Sequence, residues 1–488
     1  MNHIIGLARE QITLFPEAIE DYLSAENPVR FLDAFVDQLD TTKMSLCHAD
    51  VKETGRPPYD PKDLLKLYLY GYLNRIRSSR LLERETQRNL EVFWLLKRLQ
   101  PDHKTISDFR RNNASALREV FKQFVILCKS LELFGSELLA IDSTKFKASN
   151  ARDRVKDKEQ LDKSIVHITE SINQYLVQLD ENDANDKQTT SSVDLQKKID
   201  SLKDQKQLLE QAKTELQNNR QKYVSLTDPD CRLMKNDRRI EPAFSMQTAV
   251  DAKHSLIVDY ELTQDAADNN HLASLATSAK QVLAVETLTV CADAGYYDTV
   301  DLKMCDDQKL TTYVPIPKQK ISKKTKTPLP DYYAEKFIYN EASDTYQCPQ
   351  GNTLRQFRSR QNKRDHRLIY VYRTPACLQC SVHNQCTTSP RGRHIYRWEH
   401  EVVLDRLKQR LVRNPEIMKQ RKAIIEHIFG TLKKIWGYSA LLLRRLTNVA
   451  SEIALMNLTY NIRRVLNIVG TKNLIFYLPR SDGFPQRG

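Results

Sequence analysis

The chain has 488 residues, 40% apolar and 28% charged, which is long enough for two or more domains with sizeable cores and ordinary for a soluble protein. Its 75 Lys+Arg against 62 Asp+Glu leave a net charge of +13, which favours a polyanionic partner, nucleic acid ahead of a membrane surface. No apolar run approaches the roughly 20 residues that span a bilayer, no basic segment precedes a long apolar core at the N-terminus, and the nine cysteines are an odd number, so a membrane span, a secretory signal and a disulfide framework are all disfavoured and the reducing cytosol is the expected compartment.

Residues 1–135 read as helical throughout and are expected to form an N-terminal DNA-binding domain. Asp60-Pro61 is a helix start, and Leu64, Leu65, Tyr68, Leu69, Tyr72, Leu73 and Ile76 then give an apolar stripe. A short helix after Ser78-Ser79 carries Arg80, Arg84 and Arg88. After Pro101-Asp102-His103, Thr105 and Asp108 have the spacing of a capping box, opening a helix that exposes Arg110 and Arg111 to DNA. Short helices with clustered arginines suit a helix-turn-helix-like module, and a plain helical bundle with a basic surface fits the same pattern.

Residues 136–317 are expected to hold the first part of a catalytic core. Leu138–Asp142 is an apolar run of strand length ending in an acid, with Lys145 and Lys147 just beyond it as DNA contacts. Residues 155–222 lack glycine and proline and carry a heptad-like series, Leu161, Ile165, Ile168, Ile172, Leu176 and Leu179, before a polar break at Glu181–Ser192. A weaker series follows, so this segment predicts an inserted antiparallel helical hairpin. Asp228 and Asp230 sit in a turn-like Asp-Pro-Asp. Asp230, with Arg232 and Lys235, is read as shaping a DNA-facing loop. Strands at 244–251 and 256–262, a helix at 268–285, a strand at 287–293 ending in Asp293, a helix near 298–306 and a strand at 311–316 follow. With the hairpin removed, this is the order of an RNase H-like α/β fold, a mixed sheet flanked by helices.

Residues 318–400 interrupt that order as a basic, cysteine-rich insertion. Lys318, Lys320, Lys323, Lys324 and Lys326 crowd a proline-punctuated loop suited to DNA. Cys348, Cys377, Cys380 and Cys386 offer four thiolates, and the 377/380 pair has knuckle spacing, so the set is a candidate structural zinc site. The first half has only Cys348, with Gly351 where its partner would be. His383 can replace one cysteine, and reduced, unligated cysteines in a small β module remain the alternative. Residues 401–470 supply the C-terminal helices of the core, with a fresh start at Pro415, and residues 471–488 read as a flexible tail.

Within those helices, Glu426 and Lys433 lie seven residues apart, about two helical turns, and Lys422 shares their face. A solvated ion-pair ladder is one reading of that pattern. The other joins Glu426 to Asp142 and Asp293, each ending a strand, as hard oxygen ligands for two Mg²⁺ or Mn²⁺ ions in phosphodiester chemistry, with Lys422 and Lys433 against the DNA backbone. Asp251 and Asp298 would stand just behind the ligands, while His427 points away around the helix. Trp398 and Trp436 are candidates to stack on a displaced base or to fill the core.

Ile-Asp142-Ser-Thr-Lys-Phe-Lys, Thr227-Asp-Pro-Asp-Cys-Arg-Leu-Met-Lys, Gln247-Thr-Ala-Val-Asp, Ala292-Asp293-Ala-Gly-Tyr-Tyr and Ile425-Glu426-His-Ile-Phe-Gly-Thr-Leu-Lys433 together resemble the DDE transposases of bacterial insertion sequences. The late cysteine cluster, the Pro58-Tyr-Asp-Pro run and Asp102-His-Lys-Thr-Ile-Ser-Asp-Phe-Arg resemble the group called insertion sequence eleven-eighty-two, related to the IS-four superfamily. The resemblance covers roughly residues 50–470. It implies binding of double-stranded DNA at terminal inverted repeats, cleavage at the element's ends and strand transfer by 3′-hydroxyls in a homodimeric nucleoprotein complex. It also implies that Asp142, Asp293 and Glu426 ligate the metal. Where related transposases often carry Tyr and Arg before the glutamate, this chain has Lys419 and Lys422, so the tyrosine is lost. A nuclease of the same fold without strand transfer, and an inactive DNA-binding derivative, are the other readings.

Overall fold

The structure, a computed structural model, describes residues 18–47, 57–184, 190–218, 222–236, 238–317, 327–362 and 367–478. It divides into two compact units, Met1–Asp268 with Ser278–Val285 and Lys422–Gly488, and Asn269–Thr277 with Glu286–Arg421.

The first unit begins with α1 (Pro28–Asp37), α2 (Pro61–Leu73), α3 (Ser79–Arg88), α4 (Leu90–Leu95), α5 (His103–Asn112) and α6 (Ala114–Ser130). α2 starts where its sequence predicts, with the Lys62 N–H donating to the Asp60 carboxylate at 2.8 Å and Pro61 in the first turn. α5 is capped by Asp102 and not by Thr105. The Asp102 carboxylate accepts the N–H groups of Lys104 and Thr105 at 2.8 and 2.9 Å, and the Thr105 hydroxyl as well.

The strand β1 (Leu138–Lys147) follows, then β2 (Val155–Lys156), the hairpin α7 (Lys158–Ala184) and α8 (Thr190–Asn218), β3 (Val224–Ser225), β4 (Arg232–Asn236), β5 (Arg239–Asp251) and β6 (Ile257–Thr263). The expected hairpin is present, closed near its base by Leu161, Leu209, Ala212, Leu216 and Val224. The centre of the expected polar break lies outside the described residues. β5 is paired antiparallel along one edge by β1 and along the other by β4 and then β6. Asp142 does not end its strand. β1 continues to Lys147 because Ser143–Lys147 pair with Ala243–Gln247 of β5, which supplies backbone partners regardless of side-chain polarity.

After α9 (Leu272–Leu283), the second unit carries β7 (Leu288–Ala292), α10 (Thr299–Asp307) and β8 (Leu310–Tyr313). β7 and β8 are parallel, so α10 is their crossover. Five antiparallel strands follow, β9 (Ile338–Asn340), β10 (Thr345–Gln347), β11 (Thr353–Gln361), β12 (Leu368–Arg373) and β13 (Ile395–Trp398), over a core of Phe337, Tyr346, Leu354, Tyr372 and Ile395. α11 (His383–Cys386) sits between β12 and β13, and α12 (Glu401–Arg413) comes after. The lysines expected to line a loop at 318–326 lie outside the described residues.

α13 (Glu416–Phe429) runs into a π-helical stretch, Gly430–Ile435, before α14 (Leu446–Val469) and α15 (Thr471–Tyr477). α14 is buried all round from Ser451 to Ile462 and packs on α2, α5, α6 and β6, so residue 135 is no break in packing. Its buried Asn461 amide takes the N–H of Ile257 at 2.9 Å and donates to the Ile257 carbonyl at 2.8 Å, standing in for a strand partner at β6. Residues 471–477 are helix and not tail. Gly470, at φ +83°, ends α14, Leu474 is buried, and the Thr471 hydroxyl donates to the Glu26 carbonyl at 2.9 Å. Residues 479–488 lie outside the described residues.

Candidate active site

In the first unit, Asp142 sits in the middle of β1 opposite Thr248 of β5, and its carboxylate accepts the Ser143 N–H at 2.7 Å. Beside it lies a group that sequence reasoning missed. The Lys145 ammonium is 2.7 Å from the Ser143 hydroxyl and 2.8 Å from the Asp268 carboxylate, and the Gln247 amide donates to the same Asp268 oxygen at 3.1 Å. Burial pushes Asp268 up, but hydrogen bonds from Lys145, Ser143 and Gln247 hold its carboxyl below the usual range. Lys145 was expected on DNA. It is instead tied inside the protein, because β5 presents Gln247 and Asp268 lies within its reach. Nothing in the sequence marks the pair, and the strand register that places Gln247 opposite Ser143 is set only by the fold.

Glu426 lies near the end of α13 with its side chain 67% exposed, and Lys422, one turn earlier, approaches it at 3.6 Å. The Lys422 rung of the ion-pair ladder is present, and a pair this exposed is worth only about 0.3–0.5 kcal/mol. A two-turn spacing would align Lys433 with Glu426 only on an unbroken α-helix. The π stretch breaks that period, and the Lys433 ammonium turns to the Asn236 amide oxygen at 3.3 Å, 5.4 Å from the centre of the Phe146 ring. His427 hydrogen-bonds the Tyr460 hydroxyl at 2.9 Å, and burial followed by the nearby Arg464 charge lowers its pKa. That is a packing role. Trp398 and Trp436 are both buried.

In the second unit, β7 ends at Ala292, and Asp293 caps the short turn after it by accepting the Gly295 N–H at 2.8 Å. Asp298 caps α10. Asp251, in the first unit, accepts the N–H groups of Gly135, Ser136 and Lys253 at 2.9–3.0 Å. Both of these acids hold backbone in place.

The basic residues expected on DNA separate into two kinds. Lys147, Lys235, Lys422 and Arg111 are exposed, Arg111 pairing with Asp108 at 2.8 Å. Arg110 is 4% exposed, with its guanidinium 5.3 Å from the Tyr68 ring and bonded to the Arg77 carbonyl at 3.0 Å. It is a core residue, because it sits in the last turn of α5 on the buried face that also carries Ile106 and Phe109. Arg232 donates to the Pro229 and Cys231 carbonyls at 2.6 and 2.9 Å, locking its own loop. That loop is not DNA-facing at its acids either. Asp228 and Asp230 accept the N–H groups of Arg445 and Leu446 at 3.1 and 2.8 Å, at the start of α14.

All nine cysteines are free thiols. Cys348, Cys377, Cys380, Cys386 and His383 line one cavity of about 20 Å³ in the second unit, room for a single water or bare ion. Burial pushes both the Cys386 and the Cys377 thiols up, opposed only in part by the Arg393 charge at Cys386 and by the Arg393 backbone N–H at Cys377. Among the described residues, no three His, Cys, Asp or Glu side chains gather closely enough to hold a metal ion. That covers the acids and the thiols alike.

A family model described as "Transposase DDE domain" matches residues 134–462. The chain belongs to the DDE transposases. A second model, "Transposase domain (DUF772)", matches residues 17–112 of the transposase, the stretch holding α1 to α5. No curated protein matches it. The family assignment makes the transposase a divalent-metal-dependent enzyme acting on DNA. Antiparallel strands in one unit and a parallel β–α–β in the other, with flanking helices, are compatible with an RNase H-like core. No helix among the described residues is long and apolar enough to cross a membrane.

Proposed function

We propose that the transposase, of the insertion sequence eleven-eighty-two type, binds the terminal inverted repeats of its element, cleaves the ends and joins the freed 3′-hydroxyls to target DNA as a homodimer in a nucleoprotein complex. One observation carries the reading. The DDE match runs from residue 134 to 462 and takes in Asp142, Asp293, Glu426 and Lys433 together. In this reading the three acids hold two Mg²⁺ or Mn²⁺ ions, for which their hard carboxylate oxygens are the right donors. Such ions, when bound, polarise the phosphodiester and activate the attacking oxygen.

The chain's own residues then do the rest. The backbone pairing of β1 with β5 holds Asp142 in place, and the Lys145–Asp268 pair stiffens the strand beside it. Lys422 leaves its weak, exposed pair with Glu426 and meets a phosphate, as does Lys433. The free thiols fit action in a reducing compartment. In the same reading, Cys348, Cys377, Cys380 and Cys386 close on a structural zinc, which their shared cavity and knuckle spacing favour. Elemental analysis of purified protein checks this. About one zinc per chain, lost in Cys380→Ser together with stability of the β9–β13 module, is the expected result, and no zinc removes the claim.

The test of the main reading is incubation with Mg²⁺ and DNA carrying candidate element ends, followed by sequencing of the joints. Joined 3′-ends are expected, and cutting alone would point to a nuclease. Asp293→Ala is expected to abolish cleavage, by at least about 10³-fold, while terminal-repeat binding measured by gel shift persists. Equal loss of binding would make Asp293 structural.

A further inference from the structure

The sheet β9–β13 buries one face, and its other face, on which Val371 and Trp398 are buried, also carries exposed side chains that are unexplained. Leu354, Tyr372 and Ile395 point into its core. The register sets the opposite face. Arg355 stands across from Arg373, Arg358 across from Val371, and Arg360 across from Ile369, while Val371 faces Tyr396 on β13. Residues directly opposite share a face, and positions 369, 371 and 373 alternate onto the same side of β12, so four arginines occupy one surface. The three strands β11, β12 and β13 contain no Asp or Glu at all.

Two of these arginines are held by aromatic rings. The Arg373 guanidinium lies 3.3 Å from the centre of Phe357, at the β11 bulge, and that of Arg360 lies 4.9 Å from the centre of Tyr396. Both rings are about half exposed, Phe357 at 49% and Tyr396 at 52%, which for large side chains on a sheet face needs a reason. Their faces are occupied by guanidinium, so they serve to fix its plane and leave the N–H edges outward. Among the described residues, no carboxylate pairs with Arg355, Arg358, Arg360 or Arg373. The uncompensated charge is felt locally: burial, then Arg373, Arg358 and Arg391, lowers the His394 pKa.

We propose that this face is a DNA contact in its own right, in which Arg355, Arg358, Arg360 and Arg373 grip the phosphate backbone of duplex DNA without reading its sequence. Arginines two residues apart on a strand stand roughly 7 Å apart, and an extended row of planar forks on a rigid sheet suits a regular line of phosphates. Duplex backbone is favoured over single-stranded bases because each of the two rings that could stack on bases already holds a guanidinium on one face. The inference rests on the transposase reading for its choice of DNA, and on the sheet alone for the site.

The test uses the full chain and a mixed-sequence duplex lacking element ends, with affinity followed by fluorescence anisotropy across a salt series. Arg358→Glu with Arg360→Glu is expected to weaken binding at least tenfold and to flatten the slope of log K against log salt by about 2. Arg358→Lys with Arg360→Lys keeps the charge and is expected to keep the slope. An unchanged slope in the glutamate variant overturns the proposal, as does an equal loss in the lysine variant, which would signify misfolding or packing. Wild-type cleavage of element ends with no effect of the arginine variants would sink this site alone. Salt-sensitive duplex binding through these arginines by a wild type that never joins ends would sink the transposition reading alone.

Discussion

Lys145 holds its ammonium 2.8 Å from Asp268 with only 12% and 19% of the two side chains exposed, so the pair is shielded from solvent far more than a surface ion pair. Asp268→Asn should therefore cost about 2–3 kcal/mol near neutral pH. The sign with pH follows from the depressed Asp268 pKa. Its stabilisation is fully present above the ordinary carboxylate pKa of about 4 and is lost as pH falls through the lower folded value. Urea unfolding at a series of pH values should show the gap between wild type and variant closing below about pH 4, and a constant gap would refute the assignment. Arg110 and Arg111 make a second contrast. Arg110→Ala should lower stability by roughly 2–3 kcal/mol, because it empties a buried site and leaves the Arg77 carbonyl unpaired, while Arg111→Ala should stay within about 0.5 kcal/mol. Thermal or urea unfolding of the two variants checks this. Adjacent arginines look alike in sequence, and only the rotation of α5 tells them apart.

At the scale of elements, regular periods were legible. The heptad-like series yielded α7, the Asp60-Pro61 start yielded α2, and the apolar run before Asp293 yielded β7. What failed did so where the partner was remote. β1 runs on through Ser143–Lys147 because β5 pairs with it, whereas α5 is the local exception, capped by the Asp102 carboxylate reaching the N–H groups of Lys104 and Thr105. α14 is the clearest case. Its N-cap, Arg445, offers no side-chain cap and has φ +70°, and the capping oxygens come from Asp228 and Asp230, more than two hundred residues earlier. Asp230→Ala should cost about 1–2 kcal/mol of stability by urea unfolding, as loss of a cap does, and no loss would remove this role. The π stretch after α13 likewise has no period that a sequence displays, and Lys433 within it turns to Asn236.

For the whole molecule, the first unit is assembled from three separated stretches of chain, with α14 returning to fill a core begun by α2, α5 and α6. That return explains why 1–135 looks like a separate domain in sequence yet shares its core with residues after 440. The sequence by itself determined the family, the strand and helix types of the long periodic segments, the three candidate acids and the cysteine set. Each of those is written in local residue identity, spacing or order. The tertiary structure decided which basic residues are free to meet DNA. Lys145 and Arg110 are bound inside by groups distant in sequence and Arg232 by the carbonyls of its own loop, while the arginines of β11 and β12 become one surface only through strand register. Charge is a property of a residue, but its availability depends on what the fold places within about 3 Å of it.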